Sequence, residues 1–223
     1  MLLNTRSGYS WHRLIERFQE VLELPAKPEV VGVDIPVGLL ERAVKGGRRC
    51  DREARPILGQ PRARSVFSPP VRNALRCTDY ASANKSNRES SLDRVGISIQ
   101  SFGLRQKLLE MDGLITPELQ EIVKEVHPEL SFYELNDRHP MKHGTRDRTG
   151  EGLAERRALL RNAGFDGIVS KPLGYPRTQV GEDDILDACA ACWTAARILR
   201  GKAIRIPQGP PRDKCGLLME IWR

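Results

Sequence analysis

The spacing of apolar side chains predicts that helices alternate with strands along this chain. Apolar residues recur every three or four positions in four segments, so each segment can bury one face of a helix. Asp51, near the start of a further segment, indicates a shorter helix there, because acidic residues favour helix N-termini. The predicted helices cover residues 11–24, 50–58, 97–111, 151–163 and 182–200.

Short apolar runs predict the strands. Residues 30–33 form a continuous apolar run typical of a strand buried on both faces, and Pro36 prevents it from continuing. The predicted strands cover residues 30–33, 121–127 and 217–222, and polar composition predicts loops over residues 77–94 and 139–150.

This order of elements indicates an α/β fold. We expect one domain over residues 1–223, interrupted by an arginine-rich and helical insertion over residues 41–121. The predicted strands are few, and the chain begins almost directly at its first predicted helix. We therefore expect the opening strands of such a fold to be missing or truncated.

Composition argues against a membrane-spanning, secreted or disulfide-linked protein. No apolar stretch approaches the ~20 residues of a membrane helix, and the N-terminus lacks a signal-peptide pattern. The five cysteines have no framework spacing, which favours reduced thiols over disulfides. We expect a cytoplasmic protein with no membrane partner and no disulfide partner.

The positive charge of the chain is concentrated in one segment. The net charge is +7, from 36 basic and 29 acidic residues, and residues 41–76 account for all of it, with ten basic and three acidic residues. These cations can hold phosphate groups in a bidentate manner, or they can pair with acidic residues elsewhere in the fold. The basic residues of the segment are Arg42, Lys45, Arg48, Arg49, Arg52, Arg55, Arg62, Arg64, Arg72 and Arg76.

The first candidate for chemistry is Asp34, which directly follows the strand at residues 30–33. Ligands of open α/β sheets bind at the carboxyl ends of strands, so a carboxylate here can hold a metal ion or act as a base. The alternative interpretation is that Asp34 caps the following turn.

Three polar residues end the second predicted strand. Glu125, His127 and Glu129 lie two residues apart and share one face if the chain is extended. They can form part of a metal site. Alternatively, this is the solvated face of an edge strand, or Glu129 serves the first turn of the next helix.

A third acidic group opens the predicted helix at residues 182–200. Asp183 and Asp184 suit a helix N-terminus, but Asp187 lies on their face and adds like-charge repulsion. The small residues that follow on that face allow close packing against a sheet. Crowded carboxylates beside such a face predict a divalent cation site.

Six motifs that occur in order identify the chain as similar to the domain of unknown function 429 family, over residues 30–222. They are residues 31–39 (VGVDIPVGL), 48–55 (RRCDREAR), 65–70 (SVFSPP), 125–132 (EVHPELSF), 183–188 (DDILDA) and 218–222 (LMEIW). The resemblance implies an RNase H-like fold and a nuclease that uses Mg²⁺ or Mn²⁺.

The resemblance also implies roles for individual residues. It implies catalytic roles for Asp34, Glu125, Asp184 and Asp187, with Asp183 and Glu129 as additional metal ligands. The candidate substrate-binding residues are Arg48, Arg49, Arg52, Arg55, His127 and Lys142. The implied substrate is nucleic acid or another phosphodiester.

The family usually opens with a strand that carries an acidic metal ligand, and nothing before Trp11 resembles that strand. We therefore expect either a metal-dependent phosphodiesterase, whose activity truncation could have removed, or a non-catalytic nucleic-acid or nucleotide binder that uses residues 41–76.

Overall fold

The computed structural model describes residues 1–171, 174–176 and 178–223 and shows a mixed α/β protein with small sheets. The strands, in chain order, are β1 (Leu2–Leu3), β2 (Ser10–Trp11), β3 (Val31–Val33), β4 (Val123–Glu125), β5 (Arg205–Ile206) and β6 (Ile221–Trp222). The parallel pair β3–β4 is central to the candidate site, because its two strands end at the same edge.

The register of the parallel pair sets this edge. Val31 lies opposite Val123, and Val33 lies opposite Glu125, so Asp34 and Val126 follow the last paired residues. Val126 also bridges to Trp222 of β6, which in turn pairs antiparallel with β5. The predicted strands at residues 30–33 and 121–127 are thus confirmed.

Helices make up most of the remaining elements. In chain order they are α1 (Gln19–Leu22), α2 (Arg49–Leu58), α3 (Arg72–Leu75), α4 (Tyr80–Glu89), α5 (Ile99–Gly103), α6 (Arg105–Leu114), α7 (Pro128–Leu135), α8 (Glu151–Leu160), α9 (Asp166–Val169) and α10 (Glu182–Leu199). The segment 41–121 is helical, as predicted. Among the described residues, no helix has the length and hydropathy of a membrane span.

Two predicted elements are wrong. The predicted helix over residues 11–24 is reduced to α1, because Ser10 and Trp11 pair with Leu3 and Leu2 in a hairpin. Strands therefore precede the first helix. The predicted loop over residues 77–94 contains α4.

Polar side chains account for the helix that the loop prediction missed. The Asp79 carboxylate accepts a hydrogen bond from the backbone N–H of Ser82 and caps α4. The buried side chain of Asn87 accepts from the Val71 N–H and donates to the Val95 carbonyl. The polar residues of this segment therefore support a helix rather than an exposed loop.

Helix α10 approaches strand β3 very closely. A Cβ atom added to Gly32 would lie 2.8 Å from the backbone carbonyl oxygen of Ala191, which is closer than real side chains come. Glycine on the strand and alanine on the helix thus allow the backbones to touch. The close packing predicted for the small-residue face of this helix is confirmed.

Candidate carboxylate site

Asp34 and Asp187 are brought together by the contact between β3 and α10. Asp34 lies two residues beyond Gly32, or about 6.6 Å along an extended chain. Asp187 lies one turn before Ala191, or about 6 Å along a helix. Gly32 touches Ala191, and the charge of Asp34 contributes to the raised pKa of Asp187, so the two carboxyl groups lie near each other beside this contact.

Glu129 joins them from helix α7. Pro128 begins this helix after two residues that follow β4, which places Glu129 in the first turn at the same edge of the parallel pair. The hydroxyl groups of Ser131 and Thr194 are hydrogen-bonded at 2.7 Å and hold α7 against α10. Three separate elements therefore supply Asp34, Glu129 and Asp187, which we call the carboxylate cluster.

The electrostatics of Asp187 show how crowded the cluster is. Burial raises the pKa of Asp187 to about 8, and the negative charges of Asp34, Glu129 and Asp183 contribute to the rise. The positive charge of Arg156 opposes it. At neutral pH the cluster therefore retains a proton that a bound cation would displace.

Asp34 is solvent-exposed, yet protein atoms surround it closely enough to raise the pKa of its carboxyl group. The charges of His127 and Lys107 oppose the rise. The carboxyl group of Asp34 is thus open to a ligand from solvent, while its surroundings disfavour its charged form.

Two buried atoms near the cluster have no hydrogen-bond partner among the described residues. They are Oε2 of Glu129 and Nδ1 of His127. The other oxygen of Glu129 accepts a hydrogen bond from the buried guanidinium of Arg156, and Nε2 of His127 faces the Ser65 carbonyl at 3.3 Å. Both atoms are therefore available to a hydrogen-bonding or metal-binding partner.

These donors suit Mg²⁺ or Mn²⁺, since both ions prefer carboxylate oxygens. The three carboxylates are not drawn into one tight set in the described residues, where three ligand atoms would lie within 4.8 Å of one another.

The acidic residues at the start of α10 differ in what they do. Asp183 contributes negative charge to the environment of Asp187. Asp184 is exposed, and its carboxylate accepts a hydrogen bond of 2.8 Å from the backbone N–H of Gly181. Asp184 therefore caps the helix, and this contact gives it no part in the cluster.

Glu125, proposed from sequence as a ligand, is held in a buried ion pair. Arg48, which is 1% exposed, donates from its two terminal nitrogens to the two oxygens of Glu125, at 2.7 and 2.6 Å. It also donates to Asp51, and the N–H of Val37 donates to Glu125 at 2.6 Å. The structure gives Glu125 a role in packing α2 against β4.

The same contacts change the role of the predicted phosphate-binding arginines. Arg48 is too buried to meet a substrate, while Arg52 and Arg55 donate to the Gly47 and Gly46 carbonyls. Arg49 is exposed and pairs with Glu53 at 2.7 Å. Arg48, Arg52 and Arg55 thus donate to groups within the protein, while Arg49 stays exposed to solvent beside Glu53.

Arg72 is also paired within the protein, and it contacts more acidic residues than the arginines above. Its side chain is 10% exposed and makes ion pairs with Glu41, Asp112 and Asp213. Its partners come from both ends of the insertion and from the C-terminal part of the chain, so it acts as a structural clamp.

A second set of ligand-type side chains lies in the loop after α7 and at the first residue of α8. His143, Asp147 and Glu151 bring their ligand atoms within 4.8 Å of one another. The two Asp147 oxygens accept from the N–H groups of Gly150 and Gly152, and His143 faces the carboxylate of Glu155. These contacts account for the set as loop structure. Lys142, the remaining candidate from sequence, is exposed beside it.

Sequence reasoning missed the cations around the cluster, Arg156 and Lys107. Arg156 is fully buried, and it also donates to the carbonyls of His143 and Gly152. A charged residue in the buried stripe of the helix at 151–163 was the signal that could have revealed it, because arginine is rarely buried unless paired.

The comparisons with known proteins give one match. No curated protein matches the chain, and no solved structure matches it. The family described as "Protein of unknown function (DUF429)" matches residues 3–212, which is most of the sequence. The chain therefore belongs to the DUF429 family.

Proposed function

We propose that this protein is a divalent-metal-dependent phosphodiester hydrolase with an RNase H-like arrangement of carboxylates, acting on nucleic acid. The observation that carries the proposal is the carboxylate cluster itself. Three acidic side chains from three elements meet at the end of a parallel strand pair, and the buried Oε2 of Glu129 has no partner in the described part of the chain.

We assign a role to each residue from its surroundings. Asp34 and Asp187 would hold Mg²⁺ or Mn²⁺, with Glu129 bound to the ion directly or through water. Such an ion neutralises phosphate charge and lowers the pKa of a bound water. Arg156 holds Glu129 in place, and the free ring nitrogen of His127 can hydrogen-bond a phosphate oxygen.

A cleavage assay with metal titration tests the proposal. We expect the purified chain to cleave a nucleic acid substrate with Mg²⁺ or Mn²⁺ and to lose more than about 100-fold in rate on Asp187→Asn or Asp34→Asn. Loss of a ligand should exceed the 10–100-fold typical of outer-shell partners. Asp184→Asn is the matched control on the same helix, because asparagine also caps well.

Metal binding supplies a readout that does not depend on finding the substrate. Mn²⁺ at about 100 times its dissociation constant should stabilise the folded chain by about 2.7 kcal/mol. The double variant Asp34→Asn/Asp187→Asn should lose this stabilisation, and Asp184→Asn should keep it. Equal stabilisation of all three proteins would refute the cluster as the metal site.

The alternative, a non-catalytic nucleic-acid binder that uses residues 41–76, has weaker support. Arg48, Arg52, Arg55 and Arg72 are committed to contacts within the protein. Binding of nucleic acid without cleavage under either ion would favour this alternative.

A further inference from the structure

An open cleft on helix α4 gathers positive charge that the carboxylate site does not use. The cleft has a volume of about 430 Å³, and within the described part of the chain no acidic residue lines it. It is lined by Tyr80, Ala81, Asn84, Lys85, Arg88 and Arg94. The segment lies outside residues 41–76, where the sequence analysis placed the net positive charge.

Helical spacing places the donors on one face. Tyr80, Asn84 and Arg88 are four residues apart and form one row, and Lys85 lies beside Arg88 at a spacing of three. Arg94, in the turn after α4, completes the rim. All three cations are exposed, and none makes an ion pair within the described ranges of the chain.

Neighbouring groups hold this arrangement in place. The hydroxyl of Tyr80 donates to the Ile97 carbonyl at 2.9 Å, and the side-chain oxygen of Asn84 accepts from the Ile97 N–H at 3.0 Å. The oxygen of Asn84 is thus occupied, while its amide group keeps two N–H donors. Gly96 lets the guanidinium of Arg88 lie against the backbone, since an added Cβ would be 3.2 Å from Nε.

A neighbouring cleft shows that this charge pattern is specific to one side of α4. The second cleft also contains Lys85, together with Arg42, but Glu41 and Glu89 line it as well. Its charges are balanced. In the first cleft, by contrast, three cations repel one another, and the acids adjacent in sequence, Asp79, Glu89 and Asp93, do not line it.

We propose that the α4 cleft binds phosphate groups of a phosphate ester. Guanidinium and ammonium groups without competing carboxylates recognise phosphate oxygens, and Arg88 and Arg94 can each bind two oxygens at once. The ester is either a strand of nucleic acid or a free nucleotide. The inference does not rest on the proposed hydrolase activity.

Binding of a fluorescein-labelled single-stranded DNA oligonucleotide, measured by anisotropy in EDTA, tests the cleft apart from any metal-dependent cleavage. We expect Arg88→Ala/Arg94→Ala to weaken binding at least about tenfold. The charge-matched control Arg42→Ala/Lys45→Ala removes two exposed cations outside the cleft and should change binding less than about twofold. The slope of log affinity against log salt should fall by about 1.4 only in the cleft variant.

A competition experiment distinguishes a free nucleotide from a nucleic-acid strand as the source of the bound phosphate group. Displacement of the oligonucleotide by millimolar pyrophosphate or ATP indicates a nucleotide site, and resistance to both indicates a nucleic-acid backbone. Equal loss of binding in the cleft and control variants would mean general electrostatic attraction and would overturn the proposal. Absence of binding to oligonucleotide, ATP and pyrophosphate alike would also overturn it.

Discussion

The arginine-rich segment 41–76 and the carboxylate cluster carry opposite charges. They also differ in whether their buried charges have partners of opposite sign. In the segment, the buried cations are matched: Arg48 meets Asp51 and Glu125, and Arg72 meets acids from three parts of the chain. In the cluster, acids face one another, and burial with like charge raises the pKa of Asp187 to about 8.

This difference indicates that the candidates for function are the charged residues that face charges of the same sign. In a matched buried ion pair, the two charged groups occupy each other's hydrogen-bond donors and acceptors, so neither group is available to a ligand. A cluster of like charges, with a buried oxygen that has no partner in the described structure, is stable only with a proton or a cation. The buried arginines of segment 41–76 thus stabilise the fold. The acidic residues of the carboxylate cluster form the candidate site.

The largest expected effect tests the matched pair. Arg48→Met should destabilise the protein by about 3–5 kcal/mol, because it leaves the carboxylates of Asp51 and Glu125 buried without their cation. The adjacent, exposed Arg49→Met removes one ion pair with Glu53 and should cost about 0.5 kcal/mol or less. Urea denaturation of both variants measures the difference, and equal losses would show that Arg48 is not a structural residue.

The next effect tests the contact that creates the cluster. Gly32→Ala should cost about 1–3 kcal/mol, because the added Cβ would force β3 away from the Ala191 carbonyl. It should also weaken Mn²⁺ binding by moving Asp34 relative to Asp187. Gly113→Ala in α6 is the control: it meets no atom within 4 Å and should stabilise the helix by about 0.5–1 kcal/mol. Unchanged stability and metal affinity in Gly32→Ala would contradict the close contact.

The smallest effect tests the unmatched charge. The folded-state pKa of Asp187 is raised from 3.8 to about 8, so between these values the folded state holds a proton that the unfolded state releases. The unfolded state then binds fewer protons, and the contribution of Asp187 to stability falls as pH rises through this window.

Asp187→Asn should therefore stabilise the protein relative to the unsubstituted chain, on the order of 1 kcal/mol at pH 8 and much less at pH 4. Denaturation curves at the two pH values measure the change, with Asp184→Asn as the control on the same helix. A gain that is equal at both pH values, or a loss at pH 8, would show that the cluster is already compensated.

Much of the framework of the site was predictable from sequence. The apolar run before Asp34 predicted a strand, and the small residues after Asp187 predicted a closely packed helix; both are observed. Local pattern was less reliable at residues 11–24, where Trp11 pairs in a hairpin and only Gln19–Leu22 is helical. It also failed at residues 77–94, where the Asp79 cap and the buried Asn87 form a helix from polar residues.

The sequence by itself determined which elements form the strand pair and where their acidic residues stand, because burial and turn chemistry act over a few neighbouring positions. Only the tertiary structure decided the partners of those charges. Arg48 meets Glu125 across 77 positions of sequence, and Arg156 meets Glu129 across 27. Pairing of charges depends on which elements pack together, so tertiary packing separated the structural Glu125 from the candidate ligands Asp34, Glu129 and Asp187.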